Sequence, residues 1–158
     1  MQETITVKAY AVLLNESRSR HVVWRGTDPT KRPTDFHRML GGHVEFGERA
    51  RDAVVREIAE ELGTELSEVS PIGVLESIFR FAGRPGHEVV FLYAATIADG
   101  VVPDVGGWFD DGGPIRVEWR AVRTDTDIPL YPDGAQRLIA EWIGTGADGG
   151  TRRPYIGE

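Results

Sequence analysis

The chain has 158 residues, 41% of them hydrophobic, enough for one ordinary domain with its own core and short for two. A formal charge of -7 and a pI near 5.1 argue against a surface for nucleic-acid polymers, which relies on many Lys and Arg contacts to phosphates; a small anion met by metal and local arginines stays compatible. The absence of cysteine excludes disulfides, thiolate catalysis and Cys-based zinc sites.

The N-terminus, Met1 to Val7, lacks the basic region and long apolar stretch of a signal peptide, and no run approaches a membrane span, so a soluble cytoplasmic protein is expected. Ile5, Val7, Ala9, Ala11 and Leu13 recur at period two and predict a strand over 5–14 with one face on a core. Asn15-Glu16-Ser17 supplies turn chemistry before a partner strand at His21 to Trp24, and Gly26 to Pro33 reads as a surface loop carrying Lys31 and Arg32. Glu48 to Leu62 is rich in helix formers, has an acidic first turn and meets Gly63 just past its end, which predicts a helix.

Val74 to Ala82 and Glu88 to Ile97 read as strands joined by a Gly83-Arg84-Pro85-Gly86 turn, the second apolar enough to lie centrally in a sheet. Asp99 to Pro114 holds five glycines and two prolines and predicts a loop. Its Trp108 and Phe109 form either a lid that stacks on a base or an aromatic pair on the rim. Ile115 to Val122 predicts another strand, and Asp133 to Ile143 a second amphipathic helix with Leu138, Ile139 and Trp142 inward. The expected organisation is one domain over 1–143 and a flexible tail over 144–158.

One segment carries chemistry. In Gly42 to Thr64, GHVEFGERARDAVVREIAEELGT, a glycine is followed after five residues by Glu48 and after seven more by Arg56-Glu57-Ile58-Ala59-Glu60-Glu61-Leu62-Gly63. With each residue type at roughly 5–7%, seven fixed matches arise by chance in on the order of one window in 10^8. At about 100° per residue, Glu57, Glu60 and Glu61 share an arc of roughly 100° on one side of the helix. Like charges at i and i+4 destabilise a helix by roughly 0.2–0.5 kcal/mol, so bound cations offset a crowding that a merely solvated acidic face would leave in place. Hard cations such as Mg²⁺ take oxygen ligands from a few carboxylates together with substrate phosphates. Leu40-Gly41-Gly42 reads as a close approach of backbone to a bound ion or phosphate.

The segment closely resembles the Nudix box, and element order along most of the chain is similar to that of the Nudix hydrolase family. The resemblance implies a Nudix-type α/β/α sandwich, a mixed sheet held between helices, with the box in a loop-helix-loop. It implies Glu57, Glu60, Glu61 and the Gly41 carbonyl as metal ligands for Mg²⁺ or Mn²⁺, and an Arg56–Glu48 salt bridge that fixes the loop-helix-loop. Thr64 stands where the family usually has a larger aliphatic residue, which weakens a packing contact and leaves the acids untouched.

The implied reaction is attack of water on a phosphorus of a nucleoside diphosphate linked to a group X. Glu57, Glu61 and Glu88 are the candidates for the base that takes the proton, with Glu76 and Glu118 weaker ones. Glu88 stands in His87-Glu88-Val89, which resembles a His-Glu pair seen after the hairpin in many Nudix proteins, while His43 and His87 could sit near phosphates or simply be solvated. Arg25, Arg38, Arg80 and Arg84 could meet a phosphate, and Trp24, Phe36, Trp108 and Phe109 could stack on a base.

The stretch Arg80-Phe81-Ala82 offers neither the proline associated with ADP-ribose nor the tyrosine associated with dinucleoside polyphosphates. A nucleoside triphosphate or oxidised nucleotide is preferred as substrate, with ADP-ribose or a nucleotide sugar next. A nucleotide-sensing module without turnover is the reading from another class, and the intact box acids favour the enzyme. The expected partner is a small nucleotide-like phosphoanhydride, with no membrane, and a homodimer is the assembly left open.

Overall fold

The computed structural model describes residues 3–123 and 126–144. Its strands are β1 (Thr6–Leu14), β2 (Arg20–Thr27), β3 (Asp35–Arg38), β4 (Leu40–His43), β5 (Ser70–Phe81), β6 (Arg84–Thr96), β7 (Gly107–Asp110), β8 (Pro114–Ala121) and β9 (Leu130–Tyr131). Two helices, α1 (Ala50–Leu62) and α2 (Ala135–Gly144), follow β4 and β9. The sheet runs β5-β6-β1-β2-β3-β9, with β4 on β1, and with β8 bridging β2 and β7. Parallel pairs β1–β6 and β3–β9 among antiparallel neighbours make it mixed.

The central strand is buried on both faces, not one. Ala9, Ala11 and Leu13 turn to α1, where they meet Val54 and Ile58, whereas Tyr10, Val12 and Leu14 turn to α2 and meet Ile139. The period-two pattern of β1 therefore separates two apolar layers, and its outward start, Ile5 and Val7, is exposed. Leu138 and Trp142 pack against the second layer beside the buried Ile139.

Four local expectations differ from the structure. The helix starts at Ala50 rather than Glu48, because Arg49 holds an extended backbone as N-cap and Glu48 folds back on the loop; the stop is at Gly63, left-handed at φ 65, whose N–H bonds the Ala59 carbonyl. The hairpin turns on Ala82 and Gly83, φ 48 and 80, a two-residue turn matched to strand twist, so Arg84 to Gly86 belong to β6. The 99–114 segment contains β7, whose Trp108 and Phe109 pair with Arg116 and Ile115. The fourth difference is that β3 and β9 lie in stretches whose residues gave no strand signal. The expected tail lies outside the described residues beyond Gly144.

β1 and β2 pair only at Leu14–His21 and then part, β1 toward β4 and β2 toward β3 and β8. The fork opens a cavity of about 370 Å³ between them, walled further by β5, β6 and β9.

Candidate active site

The backbone at β4 fits between β1 and α1 only because it carries two glycines, Gly41 against β1 and Gly42 against α1. Gly41 has φ 139, and a side chain there would overlap the Ala9 carbonyl. At Gly42 a side chain would occupy the volume taken by the carboxylate of Glu57. The box glycine thus seats an acid of the helix directly against the strand.

Arg56 organises the segment around that contact. Its Nε and Nη2 donate to Glu48 Oε1 and Oε2 at 2.8 and 3.0 Å, a two-point grip, and Nη2 also donates to the His43 carbonyl at 3.1 Å. Nη1 donates to Glu57 at 3.0 Å and to Glu60 at 3.5 Å. Glu48 in turn accepts the Glu45 N–H, and these bonds, the guanidinium foremost, hold its carboxyl below the usual range. Loop, helix start and strand end are tied by this one cation, whose own pKa the same bonds raise.

The three acids of the shared arc have different surroundings. Glu61 is buried at 6% exposure, and its Oε2 has no hydrogen-bond partner. Burial, then the charges of Asp111 and Glu57, push its carboxyl up to about 8, against the Gly41 N–H and Arg38. Glu57 is largely covered, whereas Glu60 is 59% exposed and drawn outward by Arg56. Among the described residues no three His, Asp or Glu side chains stand close enough together to hold a metal ion as they are. Glu57, Glu61 and the neighbouring Gly41 carbonyl are hard oxygen donors, one of them an orphaned buried oxygen, and this set fits a divalent cation.

Gly41, Glu57, Glu60 and Glu61 do not line the cavity, whose walls carry aromatic rings together with Lys31, Arg38 and Arg80; the link between the two is Arg38, whose charge reaches Glu61. Phe36 is the hub of the rings, in edge or tilted contact with Trp24, Phe81 and Tyr131 at 5.4, 5.9 and 5.7 Å between centroids. The Arg38 guanidinium lies 4.6 Å from the Trp24 ring and 5.6 Å from that of Tyr10, and its buried Nε makes no hydrogen bond. Asp28, itself buried, accepts the Ala82 N–H at 3.0 Å and both donors of Thr30, which straps the loop bearing Lys31 to the hairpin turn beside Phe81. Lys31 stacks on Tyr131 at 4.8 Å.

Of the residues singled out in the sequence, Arg38, Arg80, Glu88, Trp24 and Phe36 line this cavity. Arg25 does not, because it is paired with Asp35 at 2.6 Å and Glu118 at 3.3 Å. Trp108 is 69% exposed on β7, away from the cavity walls, while Phe109 packs on the core under α1. Arg84 too is absent from the walls. Glu118 is held by His37 and Arg25, and Glu76 by His87, so neither is free. Sequence reasoning missed Tyr10, Phe81, Tyr131 and Asp133, which line the cavity, and Asp111 beside Glu61. Tyr10 follows from strand alternation once both faces of β1 are known to be covered; Asp111 has no local signal in its glycine-rich surroundings.

A mixed sheet between two helices, with a loop-helix-loop that lays carboxylates against a glycine pair, defines a Nudix-type α/β sandwich. The sequence model of the NUDIX domain matches residues 4–124, and the chain belongs to the Nudix hydrolase family. It is similar to the Mycobacterium tuberculosis (strain CDC 1551 / Oshkosh) protein named "Putative mutator protein MutT4", with 31% identity over 100 residues, 63% of this chain. The match spans 38% of that relative's length.

In fold it is similar to the crystal structure of a MutT NUDIX hydrolase from Burkholderia pseudomallei, at 22% identity and TM-score 0.57 over 88% of this chain and 98% of that one. It is also similar to that of a MutT protein from Methanosarcina mazei Go1, at 14% identity and TM-score 0.62 over 91% and 96%. At these identities the likeness is one of fold. No helix among the described residues is long and apolar enough to cross a membrane.

Proposed function

We propose that the chain is a cytoplasmic, Mg²⁺-dependent pyrophosphohydrolase that cleaves the diphosphate linkage of a small nucleotide, with a nucleoside triphosphate or oxidised nucleotide preferred over ADP-ribose or a nucleotide sugar. The observation that carries the reading is the orphaned, buried carboxylate oxygen of Glu61, set beside Glu57 where β4 presents its glycine backbone. Burial disfavours the ionised form of this carboxyl, and a bound cation would supply the partner that lets it ionise. Mn²⁺, also a hard oxygen-seeking ion, is the expected substitute.

Glu57, Glu61 and the Gly41 carbonyl would hold the ion, with Glu60 joining from the rim. When bound, a divalent ion neutralises the diphosphate and makes water a stronger nucleophile. Arg38 presents an unpaired guanidinium edge to the phosphates, pinned by two rings so that little side-chain entropy is lost on binding. Arg80, at the cavity edge, donates to the Gly83 carbonyl at 2.8 Å and leaves the anion to Arg38. Trp24, Phe36 and Tyr131 offer ring faces and edges to a base. With Glu57 and Glu61 engaged, Glu88 takes the proton from water: it lines the cavity and forms no ion pair or side-chain hydrogen bond among the described residues.

A nucleotide panel assayed for phosphate and pyrophosphate with Mg²⁺, and again with EDTA, tests the reading. Metal-dependent release that Glu88→Gln lowers without changing KM supports it. Binding across the panel with no release supports the sensing module instead.

A further inference from the structure

The sheet ends on margins of very different length. β9 has two residues and β7 has four, whereas β5 has twelve. Short margins are one way a folded chain avoids pairing with another, along with lysines, prolines and bulges on the exposed strand. β5 has little of that protection. It carries no lysine, and its proline and register shift are confined to Pro71–Gly73 at its start. Val74, Ile78 and Phe81 are exposed at 40%, 75% and 44%. Among the described residues, no backbone bond outside the sheet ladders involves 72–81, so the alternate N–H and C=O groups facing away from β6 meet no protein partner.

The charges on this strand are arranged self-complementarily. Glu76 and Arg80 are its only charged residues, both on one face, with Ile78 midway between them. When an antiparallel strand pairs with its own copy about a twofold axis normal to the sheet, each residue faces a residue of the same parity. An axis through Ile78 sets Glu76 opposite the partner's Arg80 and Arg80 opposite the partner's Glu76; no other axis pairs the two charges. The side chains are exposed and hold only local contacts, Glu76 with His87 at 2.9 Å and Arg80 with the Gly83 carbonyl at 2.8 Å.

We propose that β5 pairs antiparallel with β5 of a second copy of this chain, centred on Ile78, so that one sheet runs through a homodimer. Opposite-charge pairs across such a ladder stabilise it, and the same register brings the two exposed Ile78 side chains together. Ile78 and Arg80 of this face and Phe79 and Phe81 of the other all line the cavity, and the axis places the partner's Ser77 opposite Phe79 and the partner's Leu75 opposite Phe81. The second copy would then form the outer lip of the cavity.

Sedimentation velocity on the full chain at micromolar concentrations tests this, with circular dichroism to establish folding. The expected wild-type species has twice the mass of the 17.5 kDa chain. Glu76→Arg and Arg80→Glu, each alone, set like charges opposite one another and weaken dimerisation by about tenfold or more. The double exchange Glu76→Arg/Arg80→Glu restores it, and Ile78→Lys gives a folded monomer. A wild type that stays monomeric at every concentration, a dimer indifferent to the single exchanges, or a folded double exchange that fails to restore it would overturn the proposal.

Discussion

The carboxylate of Glu57 rests against the Cα of Gly42, filling the space a side chain would need. Glycine at this point of the box is a steric requirement imposed by an acid fifteen positions later. Gly42→Ala is expected to push Glu57 off the strand and reduce kcat by about 10²-fold, the scale on which misplacement by an ångström acts. Steady-state kinetics with the preferred nucleotide measure it. An unchanged kcat would mean that the seat of Glu57 is irrelevant to turnover.

Arg56 grips both oxygens of Glu48 and also reaches the His43 carbonyl and Glu57. A lysine keeps the charge and cannot reproduce that geometry. Arg56→Lys is expected to lower stability by about 1 kcal/mol, seen as a lower urea midpoint, and to reduce turnover as the loop loosens. A variant with wild-type midpoint and rate would show the grip to be ornamental.

Arg38 lies between Tyr10 and Trp24 with a buried, unpaired Nε. Losing a hydrogen bond to a charged group costs about 1.5–3 kcal/mol, so Arg38→Ala should raise KM by about ten- to a hundredfold. Arg25→Ala, which removes a guanidinium already paired with Asp35 and Glu118, should leave KM nearly unchanged. Equal effects on KM would remove the distinction between the two.

His21 is fully buried, and neither ring nitrogen has a side-chain hydrogen-bond partner. Burial, then the nearby charge of Arg120, push its pKa down to about 3. At pH well above about 6.5 the ring is neutral folded and unfolded, and it contributes no pH dependence. As pH falls from there toward 3, the unfolded chain takes up a proton that the folded chain refuses, so stability falls by up to about 1.4 kcal/mol per pH unit. Denaturant melts of wild type and His21→Leu at several pH values between 7 and 4 check the sign. The variant's curve should be flatter, and parallel curves would assign the acid sensitivity to other groups.

The sequence carried the box because its information is local: Gly42, Glu48, Arg56 and Glu57 sit within one loop-helix-loop, and their contacts follow from spacing. The β5–β6 hairpin and the inward face of α2 were legible for the same reason, as periodic segments bounded by turns. The cavity was less so, since its walls come from β1, β2, β3, β5, β6 and β9, and Tyr131 reaches it through a two-residue strand that no periodicity announces. Arg25 and Arg38 look alike in sequence and differ only in whether a carboxylate lies across the sheet. Glu60 shares the arc of Glu57 and Glu61, yet it lies at the rim, where Arg56 competes for it. Helical phase alone does not see such competition.

A calorimetric titration of Mn²⁺ into metal-free protein, wild type against Glu57→Gln and Glu61→Gln, tests most directly whether these acids hold a cation. The expected result is binding in the wild type that each substitution weakens at least about tenfold, with folding unchanged by circular dichroism. Equal Mn²⁺ affinity in all three proteins, or none in the folded wild type even with a nucleotide bound, would contradict it.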